Sequence, residues 1–195
     1  MTKHPINTRN SFSLVIYLFY EGETELDYLQ KYIQQQRKTS VRLIKKCQSP
    51  NPQYLVDQAI KIFKELKQVK NSEIWVVFDY DGREQEVQQA INKLTNSHKD
   101  IHLAFMKPCF EIWPLLHNKI DNVSSQHEAQ SKLEKIMPSY NHDRNPRVDL
   151  AQMPDYEHAV KVAQNWEISL DGSPPYQTSK FASIYKLTEK IKKAK

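Results

Sequence analysis

Two short, continuous apolar runs place the strongest constraint on how this chain folds. The first covers residues 13–20 (SLVIYLFY) and the second residues 74–78 (IWVVF). The first is rich in β-branched and aromatic side chains and shows no polar alternation, which is typical of a strand covered on both faces. Strands of this kind occur in parallel sheets that carry helices on both sides. The runs therefore predict an α/β fold.

Helical periodicity separates the predicted strands. Asn51 followed by Pro52 is a typical N-cap with proline at the first helical position. Alternating strands and helices predict right-handed crossovers, and so a parallel sheet of about four strands flanked by helices. The remaining predicted strands are 41–47 and 101–106, and the predicted helices are 24–37, one starting at Pro52, and one containing Val87, Ala90, Ile91 and Leu94.

The second half of the chain has helical periodicity broken by prolines. We expect a single domain over residues 1–195, with its core at about 11–120 and a helical C-terminal part at about 121–195. No apolar run reaches the roughly 18–20 residues of a membrane span, so no membrane association is expected. The two cysteines, Cys47 and Cys109, have no metal-ligand or redox spacing, which favours a reducing cytoplasm.

The charge balance permits a polyanionic partner but does not identify one. The chain has 28 Lys and Arg against 23 Asp and Glu, which gives a formal net charge of +5. A basic protein of this kind is suited to nucleic acids, although many proteins without such partners are equally basic.

Acidic residues follow two of the predicted strands. Glu21 follows the first strand, Asp79 follows the third, and Asp81 lies two positions further on. The carboxyl ends of parallel strands meet at one edge of the sheet, where ligands collect. The sequence therefore predicts that these three carboxylates lie close together.

Glycine usage singles out the same two positions. The chain contains only three glycines, and two of them, Gly22 and Gly82, directly follow the acidic residues. Glycine allows a sharp turn or a close approach of the backbone to a ligand. This distribution favours a functional role for both strand ends.

Carboxylates brought together in this way suit a divalent metal. Mg²⁺ and Mn²⁺ prefer hard oxygen ligands, and a bound ion can polarise a scissile phosphate or activate water. Each motif alone also has a structural explanation. Asp81 could cap the following helix, and Glu21 could interact with the positive end of the next helix.

At these residues the sequence resembles a Toprim domain, the fold of bacterial primases, topoisomerases and several nucleases. That family carries Glu-Gly after its first strand and Asp-x-Asp after its third. Glu21-Gly22 and Asp79-Tyr80-Asp81 match these elements. Glu25 stands at a second position where nuclease-type members often keep an acid.

More narrowly, the chain resembles the RloB-like family, which is associated with anti-phage abortive infection. The resemblance is carried by EGETE with Tyr28, by VVFDYDG, and by PCFEIW running to His117. It implies a Mg²⁺- or Mn²⁺-dependent nuclease with Glu21 as general acid/base or ligand. It also implies Asp79 and Asp81 as ligands. A partner ATPase is suggested for relatives, and this chain has no G-x-x-x-x-G-K-[ST] loop of its own.

Glu111 is a further candidate, either as a metal ligand or as a group that orients one. It could equally be a carboxylate at the start of a helix. Phe110 and Trp113 are expected to pack in the core, and His117 to be a hydrogen-bonded packing residue. One continuous helix would not direct Glu111 and His117 to the same ion, because six residues correspond to about 240° of rotation.

Lysines near the second strand are candidates for nucleic-acid contacts. Lys45 and Lys46 lie close to its carboxyl end and are placed to meet a phosphate backbone. The lysines of the last ten residues are more typical of a solvated helix end. The sequence does not distinguish DNA from RNA.

Two other functions remain open. VFDYDG also resembles the nucleophile loop of haloacid-dehalogenase-type phosphatases, in which Asp79 would attack phosphorus. Against this, Arg83 replaces the usual Thr or Val, and Glu21-Gly22 stays unexplained. A non-catalytic Toprim module that scaffolds a partner or senses a phage component is the second alternative.

Overall fold

The five strands of the described residues form one sheet. A computed structural model describes residues 15–38, 40–44, 51–66, 72–97 and 101–194. The strand order is β2-β1-β3-β4-β5, in which the first four strands are parallel and β5 runs antiparallel to β4. The strands are β1 (Val15–Tyr20), β2 (Val41–Ile44), β3 (Ser72–Asp79), β4 (Ile101–Lys107) and β5 (Phe181–Ala182). The predicted α/β class with a mainly parallel sheet is confirmed.

Helices connect the parallel strands and are the main regular elements of the second half. They are α1 (Glu23–Gln35), α2 (Pro52–Leu66), α3 (Glu84–Ser97), α4 (Ile112–His117), α5 (Gln126–Ile136), α6 (Tyr156–Ile168) and α7 (Ile184–Lys193). Short 3₁₀ turns cover Leu150–Gln152 and Pro175–Gln177. Within the described ranges, no helix combines the length and apolar character needed to cross a membrane.

The predicted start of α2 is confirmed in detail. The Asn51 side chain accepts hydrogen bonds from the backbone N–H groups of Gln53 at 2.8 Å and Tyr54 at 3.3 Å. This is the bonding that an N-cap asparagine provides to the open end of a helix. The outer residues of two predicted strands, 13–14 and 45–47, lie outside the described residues.

The sheet separates two apolar clusters. Successive side chains of a strand point to opposite faces, so Leu18 belongs to one cluster and Phe19 to the other. The cluster containing Leu18 includes buried side chains from α1, α4, α5, α6 and α7. The cluster containing Phe19 is covered mainly by α2 and α3. Burial on both faces explains the continuous apolar runs in the sequence.

The C-terminal part contributes a strand as well as helices. Phe181 and Ala182 pair with Lys107 and Met106 of β4, and the Ser183 side chain accepts a hydrogen bond from the Phe105 N–H at 2.9 Å. A two-residue strand is too short to produce a periodic pattern, so the sequence did not indicate it.

The strand order determines where along the sheet a ligand site is expected. From β1 the chain moves outward to β2, and then crosses to the other side of β1 to form β3. The order therefore reverses between β1 and β3, and a crevice opens beyond their carboxyl ends. Open α/β sheets bind their ligands at such a crevice.

Candidate active site

The candidate carboxylates line one cavity at this edge of the sheet. Its volume is about 220 Å³, and it lies where β1, β3 and β4 end. The carboxylates that line it are Glu21, Glu25, Asp79, Asp81 and Glu111. We call this the acidic cavity. The expectation that acids from separate strand ends lie together agrees with this arrangement.

A tight turn presents Asp81 to the acidic cavity. Asp81 and Gly82 both have positive φ, 42° and 73°, and the Arg83 N–H donates to the Tyr80 carbonyl at 2.8 Å. Asp-Gly favours a turn of this type because both residues tolerate positive φ. Asp81 lies three residues before α3 begins, so it is a turn residue and does not cap that helix.

Backbone hydrogen bonds fix this turn against the end of β4. The Tyr80 N–H donates to the Met106 carbonyl at 3.0 Å, and the Asp81 N–H donates to the Pro108 carbonyl at 3.2 Å. In return, the Phe110 N–H donates to Asp79 Oδ2 at 2.9 Å. Asp79 is thus oriented by a rigid neighbour before any ligand binds.

Two carboxylates at the cavity are buried with one oxygen each left unpaired. Glu21 and Asp79 are both 6% exposed. Among the described residues, Glu21 Oε2 and Asp79 Oδ1 have no hydrogen-bond partner. Burial, followed by the charge of Asp81, raises the pKa of Asp79 well above its usual value, and burial also raises the pKa of Glu21. Buried anions of this kind are costly unless a cation accompanies them.

Gly22 allows the Glu25 carboxylate to approach the backbone. A Cβ atom at position 22 would lie 2.1 Å from Glu25 Oε2, closer than any real contact. The backbone at Gly22 is extended, so close approach rather than an unusual φ explains the glycine. Burial is the main cause that raises the pKa of Glu25 to about 8, and the charges of Glu111 and Glu21 act in the same direction.

Arg83 is the cation placed among these acids. Its guanidinium forms an ion pair with Glu21 Oε1, and Nη2 lies 3.8 Å from Asp79 Oδ1 and 3.6 Å from Asp81 Oδ2. It lies directly after the turn, one residue before α3 begins. Arg83 therefore offsets part of the negative charge of the acidic cavity.

The donor set suits a hard cation, although the present arrangement is built around Arg83. Carboxylate oxygens are the ligands that Mg²⁺ and Mn²⁺ prefer, and Glu21 Oε2 and Asp79 Oδ1 have no hydrogen-bond partner among the described residues. As the side chains stand, no group of three or more His, Cys, Asp or Glu in the described ranges is arranged to hold a metal ion. Binding would therefore require these side chains to converge as Arg83 moves.

Glu111 has a different environment from the other carboxylates. Its Oε1 accepts a hydrogen bond from the Tyr140 hydroxyl and lies 3.4 Å from His142 Nδ1. Burial acts to raise the pKa of Glu111, but the hydrogen bonds from His142 and Tyr140 hold it below the usual value. In turn, the hydrogen bond to Glu111 raises the pKa of His142. Glu111 is therefore a carboxylate that already has hydrogen-bond partners in Tyr140 and His142.

A groove adjoins the acidic cavity. It has a volume of about 440 Å³ and shares Glu23 and Pro146 with the cavity lining. Arg144 and Arg147, both exposed, line it together with Glu23 and with Asp27, which pairs with Lys31. The two arginines follow His142 on the same loop, so this loop brings positive charge to the rim of an acidic site.

The comparisons with known proteins identify a family. The model of the family described as "RloB-like protein" matches residues 16–191. The chain belongs to the RloB-like protein family. The match runs from β1 into α7 and so includes every carboxylate of the acidic cavity. No curated protein and no solved structure matches the chain.

The aromatic segment that pointed to the RloB-like family lies in the core, as expected. Phe110 is 1% exposed and Trp113 is fully buried. His117 is also buried, with its Nδ1 3.3 Å from the Met153 carbonyl oxygen. Its predicted role as a hydrogen-bonded packing residue is confirmed. Glu111 precedes α4 and His117 ends it, and the two side chains face different cavities.

Some predicted residues cannot be placed, and some site residues were not predicted. Lys45 and Lys46, the predicted nucleic-acid contacts, lie outside the described residues. Arg83, Tyr140 and His142 were not predicted to lie at the site. Arg83 directly follows the Asp-x-Asp-Gly motif, and this position could have indicated that it lies at the site. Tyr140 and His142 lie on an irregular loop, where no periodic pattern exists.

Proposed function

We propose that this RloB-like protein is a metal-dependent nuclease of the Toprim type that hydrolyses phosphodiester bonds in nucleic acids. The observation that carries the proposal is the acidic cavity itself. Glu21, Asp79 and Asp81 come from two neighbouring strand ends, and one buried oxygen each of Glu21 and Asp79 has no hydrogen-bond partner in the described part of the chain.

The carboxylates have distinct roles in this proposal. Asp79 and Asp81 would hold Mg²⁺ or Mn²⁺ together with Glu25, and Glu21 would act as ligand or general acid/base. Glu111, whose Oε1 lies 3.4 Å from His142 Nδ1, is the further candidate for a ligand or for a group that orients one. A divalent ion bound there would polarise the scissile phosphate and stabilise charge on the leaving oxygen.

The adjoining groove supports a nucleic-acid substrate. Arg144 and Arg147 line it next to the acidic cavity, and exposed guanidinium groups bind phosphates well. A polyanion approaching five carboxylates needs positive charge nearby. We therefore place the phosphate backbone along this groove, in addition to any contacts of Lys45 and Lys46.

The proposed biological role follows from the family resemblance. RloB-like proteins are associated with anti-phage abortive infection, so we propose defence as the biological role and an ATPase as a possible partner. The sequence has no phosphate-binding loop of the Walker type, and ATP hydrolysis would therefore come from the partner.

A cleavage assay with matched variants tests the proposal. Purified protein would be incubated with plasmid DNA, single-stranded DNA and bulk tRNA, in Mg²⁺, in Mn²⁺ or in EDTA. We expect metal-dependent cleavage by the wild type and loss of it in Asp79→Asn and Glu21→Gln. Asp57→Asn is the control, because Asp57 is an exposed carboxylate on α2 that pairs with Lys93.

The alternatives give different outcomes. Cleavage that survives both site substitutions would refute the assignment of the acidic cavity. Hydrolysis of a phosphomonoester that requires Asp79 but not Glu21 would indicate the phosphatase. If the wild type cleaves nothing, alone or with a partner ATPase, the protein is a scaffold or sensor.

A further inference from the structure

Most carboxylates of the acidic cavity are recessed from the protein surface. The side chains of Glu21 and Asp79 are 7% and 8% exposed, whereas that of Asp81 is 33% exposed. Glu25 and Glu111 are also buried. The cavity volume of about 220 Å³ is below the roughly 300–1,000 Å³ of typical small-molecule sites, and leaves room for little more than a phosphate group and its metal ion. The depth of the carboxylates therefore limits which substrates can reach them.

The irregular loop of residues 139–148 forms one wall of the acidic cavity. His142 and Pro146 of this loop line the cavity, and Arg144 and Arg147 line the adjoining groove. The same loop thus borders both the recess and the groove beside it. We call it the wall loop.

Hydrogen bonds hold the wall loop closed and attach it to α5. Asn141 and Asn145 exchange backbone hydrogen bonds at 2.9 and 2.8 Å. On α5, Glu134 Oε1 accepts a hydrogen bond from Asn141 Nδ2 at 3.2 Å and another from the His142 N–H at 3.1 Å. Glu134 is therefore the α5 anchor of the loop.

A second anchor on α1 holds the end of the wall loop. The Val148 N–H donates to Asp27 Oδ2 at 2.8 Å, and the Val148 carbonyl accepts from Lys31 Nζ at 2.6 Å. Lys31 and Asp27 also form an ion pair at 2.7 Å, and Val148 is fully buried. Segments with buried residues and many hydrogen bonds resist local opening. We therefore expect the wall to keep its position when a substrate binds.

A fixed wall beside a recessed site favours a flexible strand over a double helix. Duplex DNA is stiff over roughly 150 base pairs, so pressing one of its phosphates into a recess costs bending free energy that a single strand does not require. Proteins that bind single strands guide the backbone with a positively charged groove. Arg144 and Arg147 supply that charge here, and guanidinium groups also stack on unpaired bases.

We propose that the acidic cavity acts on single-stranded nucleic acid and excludes the paired duplex. The inference rests on the nuclease function proposed above and adds the class of substrate. The strand lies along the groove with its bases unpaired, and one phosphate enters the cavity past His142 and Pro146. The wall loop is then the element that determines specificity.

A DNA duplex with a central unpaired bubble tests the proposal. Hairpin caps close both ends, and the bubble spans about ten nucleotides, within the site sizes of single-strand binders. Cuts made by the wild type in Mg²⁺ or Mn²⁺ are mapped on a sequencing gel. We expect them to fall in the bubble, at a rate about tenfold or more above that in the paired arms. RNA of the same sequence, single-stranded or paired, shows whether the preference holds for both sugars.

Binding measurements separate this inference from the nuclease function. Fluorescence anisotropy compares a single strand with its closed duplex in Ca²⁺, a hard cation that takes the same oxygen ligands, so that no turnover is needed. We expect the wild type to bind the single strand about tenfold or more tightly than the duplex.

Two variants of equal charge test the role of the wall loop. Glu134→Ala releases the loop from α5 and should reduce the preference for the single strand by about threefold or more. Glu157→Ala removes the same charge from an exposed position on α6, and should leave the preference within about twofold of the wild type.

Equal affinity for the two forms, or cuts in the paired arms at the rate found in the bubble, overturns the single-strand proposal and leaves the nuclease function standing. If nothing is cleaved but the single strand binds more tightly, the nuclease function fails and the preference stands. A wild type that binds neither form overturns both. These measurements use wild-type protein, so they stay decisive even if Glu134→Ala fails to fold.

Discussion

Arg83 contacts three carboxylates of the acidic cavity. It pairs with Glu21 and lies within 4 Å of Asp79 and Asp81. A guanidinium and a divalent cation would neutralise the same charges, so they compete for the same oxygens. Arg83 therefore stabilises the metal-free protein and opposes the binding of an ion.

Replacing Arg83 should strengthen metal binding. We expect Arg83→Met to bind Mn²⁺ about fivefold more tightly than the wild type, because its competitor for the carboxylates is gone. The same variant should unfold at a lower temperature without metal and recover with it. Calorimetry with Mn²⁺ and thermal denaturation measure the two effects.

Arg144→Met serves as the comparison, since Arg144 is exposed on the adjoining groove and should not alter Mn²⁺ affinity beyond about twofold. Weaker Mn²⁺ binding in Arg83→Met would show that Arg83 supports the ion instead of opposing it.

The buried Glu25 carboxylate is predicted to require a glycine at position 22. We expect Gly22→Ala to cost about 1–2 kcal/mol of unfolding free energy, because the added Cβ displaces the buried Glu25 carboxylate. In a Glu25→Ala background, the same substitution should cost less than about 0.5 kcal/mol. Urea denaturation of the four proteins in this double-mutant cycle measures the difference. Equal costs in both backgrounds would mean that the contact does not explain the glycine.

Among individual residues, the sequence predicted the carboxylates that directly follow strands. Glu21, Asp79 and Asp81 could be placed together because parallel strands end at one edge of a sheet. The roles of Tyr140 and His142 could not be predicted, because their positions depend on how an irregular loop folds back over α4. The competition between Arg83 and an ion also depends on interatomic distances that no sequence pattern carries.

The short helix α4 connects the two cavities. It begins after Glu111 of the acidic cavity and ends at His117, which lines a second cavity together with Tyr28, Tyr32 and Tyr156. All six of its residues are buried. The His117 ring centroid lies 4.8 Å from that of Trp113, edge to face, and 5.8 Å from that of Tyr156. This packing explains why its imidazole is held neutral.

The burial of His117 predicts a pH dependence of stability. Its pKa falls from 6.5 to about 4 on folding, despite the opposing charge of Asp155. The unfolded chain therefore binds a proton more readily, and stability is lost as the pH falls from 6.5 towards 4. The loss attributable to His117 is about 3 kcal/mol at most.

His117→Phe should remove this contribution. Urea denaturation at pH 4, 5, 6 and 7 should give a flatter profile for the variant over that interval. His127→Gln changes an exposed histidine on α5 and provides the reference. An unchanged slope in His117→Phe would contradict the assignment.

Elements with strong periodicity were predicted well. Helix α2 begins where the Asn51-Pro52 signal placed it, β1 lies within its apolar run, and β3 and β4 contain theirs and extend slightly beyond them. Strand β5 was missed because its position is decided by pairing with the edge of β4 and not by local preference.

Over the whole molecule, the C-terminal helix belongs to the same apolar cluster as α1. Ile184, Leu187 and Ile191 of α7 are fully buried in it. The Tyr32 hydroxyl of α1 donates to the Thr188 carbonyl of α7 at 3.4 Å. The helix that carries Glu25 is thus supported by residues more than 150 positions further along the chain.

A substitution in α7 should therefore destabilise the whole fold. We expect Leu187→Ala to lower the free energy of unfolding by about 2–5 kcal/mol, as for other buried leucines. Lys193→Ala, on the exposed face of the same helix, should change it by less than about 0.5 kcal/mol. Chemical denaturation measures both. A small effect of Leu187→Ala would indicate that α7 unfolds separately from the sheet.

The acidic cavity gathers residues that are far apart in the order of synthesis. Glu21 and Asp79 leave the ribosome early, whereas Tyr140, His142 and the supporting helix α7 follow much later. A partly made chain consequently carries the carboxylates without the loop and the helix that position them. If the protein cuts nucleic acids as proposed, this order of assembly keeps the nascent chain harmless to the ribosomal and messenger RNA that surround it.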